Sequence, residues 1–229
     1  MRVAVIPARG GSKRLPRKNI RSFLGRPMIA YSIECARQSG LFDRIIVSTD
    51  DDEIARVATS FGAEVPFRRP RELSDDYCGT VEVVAHSVGY LAVNGCNPAE
   101  ICCLYATAPF LRPEDLVEGH RLLEGGGWSY VFAATSFAAP VSRGFQKLAC
   151  GKLEMFFGQH YETRSQDLPE ALHDAGQFYW GRPQAWAARK PIFGSDSTVV
   201  IVPRWRVQDI DTEEDWERAQ LMAKYLLRA

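Results

Sequence analysis

Short apolar runs alternate with segments of helical periodicity along most of the chain, and no other feature limits its possible folds as much. Val3 to Pro7 precedes Met28 to Ser39, Arg44 to Ser48 precedes Asp52 to Ser60, and Ile101 to Tyr105 precedes Pro113 to Glu124. A helix between two strands carries the chain back so that the strands run parallel. The pattern therefore predicts an α/β domain with a Rossmann-like, mostly parallel sheet and flanking helices. Asp50 to Glu53 has the spacing of a capping box, Gly62 can close the helix that follows, and Pro113 suits a first helical turn. From Thr80, a helix is expected to bury Val81, Val84, Ala85, Val88, Leu91 and Ala92. Thr212 and Asp215 open a last helix to Leu227, with Trp216, Ala219, Met222 and Ala223 facing inward.

After a strand at Tyr130 to Ala134 the rhythm breaks. Ser136 to Gly176 is rich in aromatic, polar and turn-forming residues without a clear period. Ordered structure is expected to resume at Gln177 to Trp180, Thr198 to Pro203 and Arg206 to Ile210. At 229 residues the simplest organisation is a single domain over 1–229, with 136–176 as an inserted lobe serving as a lid, a dimerisation surface or both. No apolar run approaches the ~18 residues that span a bilayer. The six cysteines include no C-x-x-C pair, so reduced thiols and a cytoplasmic location are expected.

Net charge is zero, which argues against a chain built to coat nucleic acid. The distribution is uneven, however: eight basic residues precede Arg26 or include it, and the first acidic residue is Glu34. Most of these cations fall in Ala8-Arg9-Gly10-Gly11-Ser12-Lys13-Arg14-Leu15-Pro16-Arg17-Lys18-Asn19, which leaves the first strand. Open α/β sheets bind ligands outside the carboxyl ends of their strands. Glycines there let backbone N–H groups approach a polyphosphate, and Arg9, Lys13 and Lys18 supply charge. The alternative is a solvated basic turn. The loop matches neither G-x-x-x-x-G-K-[ST] nor G-x-G-x-x-G, so Walker-type NTPases and dinucleotide oxidoreductases lose support.

Asp209-Ile210-Asp211 is a second candidate. In extended backbone its carboxylates point to one side, and paired carboxylates with substrate phosphates suit Mg²⁺. Capping of the last helix by Asp211 is the alternative. Asp50 is expected to cap a helix rather than act in catalysis. His160 and His173 lie with Arg164, Gln166, Asp167 and Asp174 in a polar stretch suited to a hydroxyl-rich sugar. No zinc spacing or nucleophile elbow occurs, and His86 and His120 read as structural.

Together these motifs resemble the acylneuraminate cytidylyltransferase family, whose enzymes make CMP-activated nonulosonic acids. The resemblance rests on Ile6 to Lys13 with Leu15 to Asn19, Phe42 to Asp50, Arg69 to Leu73, and Asp209 to Thr212. Tyr105 to Leu111, Thr163 to Glu170 and His173 to Trp180 are similar to its pseudaminic acid branch. The sialic acid branch usually has Gln-Pro-Thr-Ser-Pro-Leu-Arg where this chain has Tyr105 and a displaced Arg112. The resemblance implies CTP as nucleotide, with Arg9 and Lys18 on its phosphates and Ala8, Gly10, Gly11, Ser12 and Lys13 shaping the loop. It places Asn19, Arg69 and Thr80 on the nucleoside, Mg²⁺ on Asp209 and Asp211, and a nonulosonic acid against Tyr105, Arg164, Gln166, His173 and Gln177. It further implies a homodimer, with the inserted lobe projecting into a partner subunit. The rival readings are a nucleotide-sugar glycosyltransferase, which releases no pyrophosphate, and a nonenzymatic nucleotide- or RNA-binding protein.

Overall fold

Val3, Ala4, Val5 and Ile6 are all fully buried, which requires cover on both faces of the strand they form. A computed structural model describes residues 1–227 and shows how that cover is built. The strands in chain order are β1 (Arg2–Pro7), β2 (Ser22–Phe23), β3 (Arg26–Pro27), β4 (Arg44–Ser48), β5 (Glu100–Leu104), β6 (Tyr130–Ser136), β7 (Phe145–Lys147), β8 (Leu153–Met155), β9 (Leu172–Gly181) and β10 (Ser197–Ile201). The helices are α1 (Met28–Gln38), α2 (Asp52–Ser60), α3 (Thr80–Val93), α4 (Pro113–Gly125), α5 (Pro183–Ala187) and α6 (Glu213–Leu226). Six strands form the main sheet in the order β10-β6-β9-β5-β1-β4, and β2–β3 and β7–β8 are separate hairpins.

Successive side chains of a strand point to opposite faces. Ala4 and Ile6 accordingly join one core with Ile29, Ile33, Ile54 and Leu116, while Val3 and Val5 join another with Val84, Val88, Leu91 and Trp186. A third cluster unites Leu15, Phe23, Met28, Phe110, Ile210, Trp216 and Ala219. It packs the basic N-terminal segment and the Asp209–Asp211 segment onto α6.

The expected α/β architecture is present, with a parallel sheet interrupted by one strand. β9 runs antiparallel to both β5 and β6. It begins at Leu172 rather than Gln177, because a register shift between Phe132 and Ala134 lets Thr135 and Ser136 pair with His173 and Leu172. Arg206 to Ile210 is not a strand. Arg204–Arg206 is a 3-10 turn, and the buried Arg206 guanidinium forms a bidentate pair with Asp115 of α4 at 2.5 and 2.9 Å. The buried stripe of α3 is Val83, Val84, Ser87, Val88 and Leu91, and Ala92 is exposed. Ser87 can occupy the apolar face because its hydroxyl donates to Val83 O at 3.1 Å.

Asp51, and not Asp50, caps α2, accepting from the N–H groups of Glu53 and Ile54 at 2.9 and 3.0 Å. The same carboxylate accepts from Arg17 at 2.5 and 3.1 Å. The Arg17 hydrogen bonds come first in holding the Asp51 carboxyl at about 2, below its ordinary value, with the two capping N–H groups reinforcing them. The stability this gives is complete above the ordinary carboxylate range and disappears as pH falls through about 2.

Two sets of variants test this packing. Asp51→Ala is expected to cost ~0.5–2 kcal/mol in urea unfolding at pH 7, as lost helix caps do, and the deficit should shrink as pH drops below 4 towards about 2. A pH-independent deficit would show that the Arg17 pair adds nothing. A Cβ on Gly181 would lie 2.6 Å from Tyr130 Cδ1 and against Trp186 Nε1, both in the core, whereas one on Gly89 of α3 meets nothing within 4 Å. Gly181→Ala should therefore lose ~1–3 kcal/mol through overpacking, and Gly89→Ala should gain ~0.4–1 kcal/mol.

Candidate active site

The loops leaving the carboxyl ends of β1 and β5 surround a cavity of ≈ 420 Å³. Arg9, Ser12, Lys13, Arg14, Lys18 and Asn19 line one side, and Arg69 with the 73–80 segment lines another. Tyr105 to Thr107 and Asp211 complete it.

Local constraints aim the first loop. Ala8 is buried and extends the sheet, its N–H donating to Ser48 O at 2.9 Å. The Gly10 N–H donates to Asp50 Oδ1 at 2.9 Å, and a Cβ at Gly10 would lie 2.7 Å from Asp51 Oδ2. Gly10 is thus the residue that lets the loop pass the Asp51 cap, while Gly11 has open space around it. Neither glycine lines the cavity. Arg17 adopts a left-handed backbone (φ 58°), rare for a side-chain-bearing residue and held here by its ion pairs to Asp51 and Glu53. Immediately after this reversal, Lys18 Nζ donates to Ile210 O at 2.6 Å and Asp211 Oδ1 at 3.0 Å. The Asn19 amide donates to Arg9 O at 2.9 Å.

Arg69 is the most exacting group in the cavity. Its side chain is 3% exposed, yet Nε and one terminal nitrogen have no hydrogen-bond partner, and the Asp50 carboxylate stands 3.7 Å away. Burial pushes this guanidinium below its ordinary pKa, against the pull of Asp50. A buried cation with unmet donors is costly without an anion or carbonyl to receive them. On the adjoining wall the Thr80 hydroxyl and the Tyr105 phenol are hydrogen-bonded at 2.9 Å.

Asp211 meets Arg14 at 2.7 Å in addition to Lys18. Burial works to raise its carboxyl, but Lys18 and Arg14 outweigh that and hold it low. Asp209 is exposed and does not line the cavity; partial loss of hydration and then repulsion from Asp211 raise its carboxyl. Thr212 forms the capping box of α6 with Asp215, so the Asp211 carboxylate is not a helix cap. Glu100, His120 and Glu124 form a three-residue cluster of metal-ligand types, but Glu100 is the first residue of β5, at the end of the strand away from the cavity. Arg182 donates to Glu100 at 3.2 Å and Arg2 lies 3.5 Å from His120, so the cluster is a charge network already supplied with cations.

Of the expected site residues, the cavity gathers Arg9, Ser12, Lys13, Lys18, Asn19, Arg69, Thr80, Tyr105 and Asp211. Arg164 and Gln166 stand exposed on the inserted segment, Arg164 paired with Asp167 at 2.7 Å. His173 is exposed at the start of β9, its ring 4.8 Å from that of Phe137. Gln177 is buried behind the cavity, its amide nitrogen donating to Arg206 O at 2.8 Å while Oε1 has no partner. Arg14, Asp75, Asp76 and Cys78 also line the cavity. Arg14 belongs to the basic loop already singled out, whereas Asp75, Asp76 and Cys78 are legible in sequence only as a short acidic stretch remote from that loop.

Residues 3–129 match the family model described as Cytidylyltransferase. The chain is 45% identical over 222 residues to pseudaminic acid cytidylyltransferase of Campylobacter jejuni, covering 97% of this chain and 96% of that protein. It is 37% identical over 209 residues to the Helicobacter pylori protein named pseudaminic acid cytidylyltransferase and UDP-2,4-diacetamido-2,4,6-trideoxy-beta-L-altropyranose hydrolase, covering 91% of this chain and 40% of that longer one. Among solved structures, a CMP:2-keto-3-deoxy-manno-octonic acid synthetase complexed with CTP superposes with a TM-score of 0.71 at 19% identity, over 98% of this chain and 99% of that one. That likeness shows the fold. With the matched family model and the near-complete relatives, it follows that the chain belongs to the cytidylyltransferase family.

Proposed function

We propose that the enzyme transfers CMP from CTP to the anomeric hydroxyl of a nonulosonic acid, with pseudaminic acid as the acceptor, and releases pyrophosphate. The carrying observation is Arg69, a buried guanidinium lining a cavity otherwise rimmed by Arg9, Lys13, Arg14 and Lys18. Such a site suits a ligand with both carbonyl acceptors and several negative charges. Asn19, Arg69 and Thr80 take the nucleoside, and Arg9 and Lys18 take the phosphates. Ala8, Gly10 and Gly11 set the course of the loop, while Ser12 and Lys13 meet the ligand. Tyr105 and Gln177 border the acceptor on the β9 side, with Arg164, Gln166 and His173 completing its site. The substrate assignment draws on the Campylobacter relative.

In the reaction, the anomeric oxygen attacks the α-phosphorus, its hydroxyl proton is lost, and the bond to the pyrophosphate oxygen breaks in line. Arg9 and Lys18 neutralise charge on the departing pyrophosphate, and the fixed loop keeps the reacting atoms aligned. Asp209 and Asp211 fit Mg²⁺ in their chemistry. They are hard oxygen donors, and their mutual repulsion, which raises Asp209, is relieved by a divalent cation. When bound, Mg²⁺ supplies Lewis-acid stabilisation of phosphate charge.

The segment between β6 and β9 is the inserted lobe of a single domain and the dimerisation surface of a homodimer. Its support is the apolar surface it presents: Phe145, Leu153, Phe156 and Tyr161 are 59, 66, 61 and 74% exposed. Monomeric soluble proteins rarely leave such a cluster uncovered. No helix among the described residues is long and apolar enough to cross a membrane, and all six cysteines are free. Cell fractionation is expected to find the enzyme in the cytoplasm.

Pyrophosphate release with CTP, Mg²⁺ and pseudaminic, legionaminic or N-acetylneuraminic acid tests the assignment directly. Turnover should be confined to pseudaminic acid; turnover with another acid keeps the reaction and corrects the acceptor. Lys18→Ala and Asp211→Ala should lower kcat by roughly a hundred- to a thousandfold while remaining folded, and wild-type turnover in either would refute their roles. Leu153→Asp with Phe156→Asp should convert a dimer to a monomer in light scattering. An unchanged mass would place the interface elsewhere.

A further inference from the structure

The basic rim of the cavity is already neutralised from within the chain. Asp76 Oδ1 lies 2.6 Å from Arg9 Nη1, and Asp76 Oδ2 lies 2.6 Å from Lys13 Nζ. Arg9 also donates to Asp75 O at 2.6 Å. The neighbouring Asp75 carboxylate touches neither cation; its Oδ1 accepts from the N–H groups of Tyr77 and Cys78 and so shapes the turn that presents Asp76. The hydrogen bond from Lys13, and then that from Arg9, hold the Asp76 carboxyl below the usual range, so it is a full anion at neutral pH. Arg69, in the same cavity, faces Asp50 rather than Asp76, so the Asp76 counter-ion is confined to the phosphate-facing part.

We propose that Asp76 is an affinity- and selectivity-determining residue: it occupies Arg9 and Lys13 as an internal competitor, and only a ligand with phosphates reaching those cations displaces it. This rests on the reading of the cavity as the CTP site. Every ligand that reaches Arg9 and Lys13 must break the same two ion pairs. A triphosphate or pyrophosphate replaces them with more charge than it removes, whereas a nucleoside gains nothing by moving Asp76. The carboxylate thus sets the basal affinity for phosphate chains without contacting the nucleoside. Once pyrophosphate departs, it returns to the cations and opposes rebinding.

The test is titration calorimetry of wild type, Asp76→Asn and Asp75→Asn with CTP, pyrophosphate and cytidine. Both substitutions remove one negative charge from the same exposed loop, but only the first breaks the contacts. Exposed ion pairs are individually weak, so Asp76→Asn should tighten CTP and pyrophosphate by about three- to tenfold and leave cytidine unchanged. Asp75→Asn should leave all three within about twofold, the scale of one weak exposed charge. Equal tightening in both variants would make the effect one of net charge and overturn the competitor role, as would weaker CTP binding in Asp76→Asn, which would make Asp76 a ligand contact. If wild type bound no CTP, the reading of the cavity would fail instead. CTP binding unaltered by Asp76→Asn would sink this inference alone.

Discussion

The Asp51 carboxylate ties together the pieces on which the cavity depends. It caps the N-terminus of α2 by accepting two backbone N–H groups, and it holds Arg17 through two further hydrogen bonds. Its bulk leaves no room for a side chain at position 10. These contacts fix the loop after β1 at two points, Gly10 and Arg17, and the cations of the rim, Arg9, Lys13, Arg14 and Lys18, lie between or directly beside them. The left-handed turn at Arg17 costs of order 1–3 kcal/mol in isolation, and the ion pairs to Asp51 and Glu53 offset it. The result of that reversal is that Lys18 faces the Asp211 wall.

The uneven charge of the sequence has a structural counterpart. The first acidic residue is Glu34, so cations of the N-terminal segment must find partners elsewhere along the chain. Arg17 takes Asp51, Arg9 and Lys13 take Asp76, Arg14 and Lys18 take Asp211, and Arg21 takes Glu213 at 2.6 Å. One basic segment therefore gathers acids from three distant stretches around a single space. Hydrophobic packing reinforces the arrangement, since Leu15 from the loop and Ile210 from between the two aspartates enter the same buried cluster with Trp216.

Much of this was legible from residue order. The parallel strands announced themselves as apolar runs buried on both faces, and their helices by capping residues such as Thr212 and Pro113. β9 did not, because the register shift at Phe132 and Ala134 breaks its pairing and because His173 and Asp174 interrupt its apolar alternation. Within the cavity, the glycines and cations of the first loop could be read locally. The Asp75–Asp76 pair could not, since nothing in its own neighbourhood indicates that it closes over Arg9 and Lys13. Asp50 was misread for a related reason. Two adjacent aspartates precede α2 in the right place for a cap, and only the three-dimensional path of the Gly10 loop decides which of them is free to serve it.

The antiparallel strand governs how the molecule can assemble. β4, β1 and β5 form one parallel group and β6 and β10 another, and β9 is the strand that joins them. A nascent chain that has not yet emerged past Gly181 holds the β4-β1-β5 group and a β6 without its β10 partner, with open edges at β5 and β6, the kind of edge that recruits foreign strands. Joining them requires closing the long excursion that separates β6 from β9. Loop-closure entropy rises only slowly with length, about 0.6 kcal/mol for each doubling. The excursion can therefore lengthen or shorten over evolutionary time at little thermodynamic expense, while the strand that ends it has almost no such freedom.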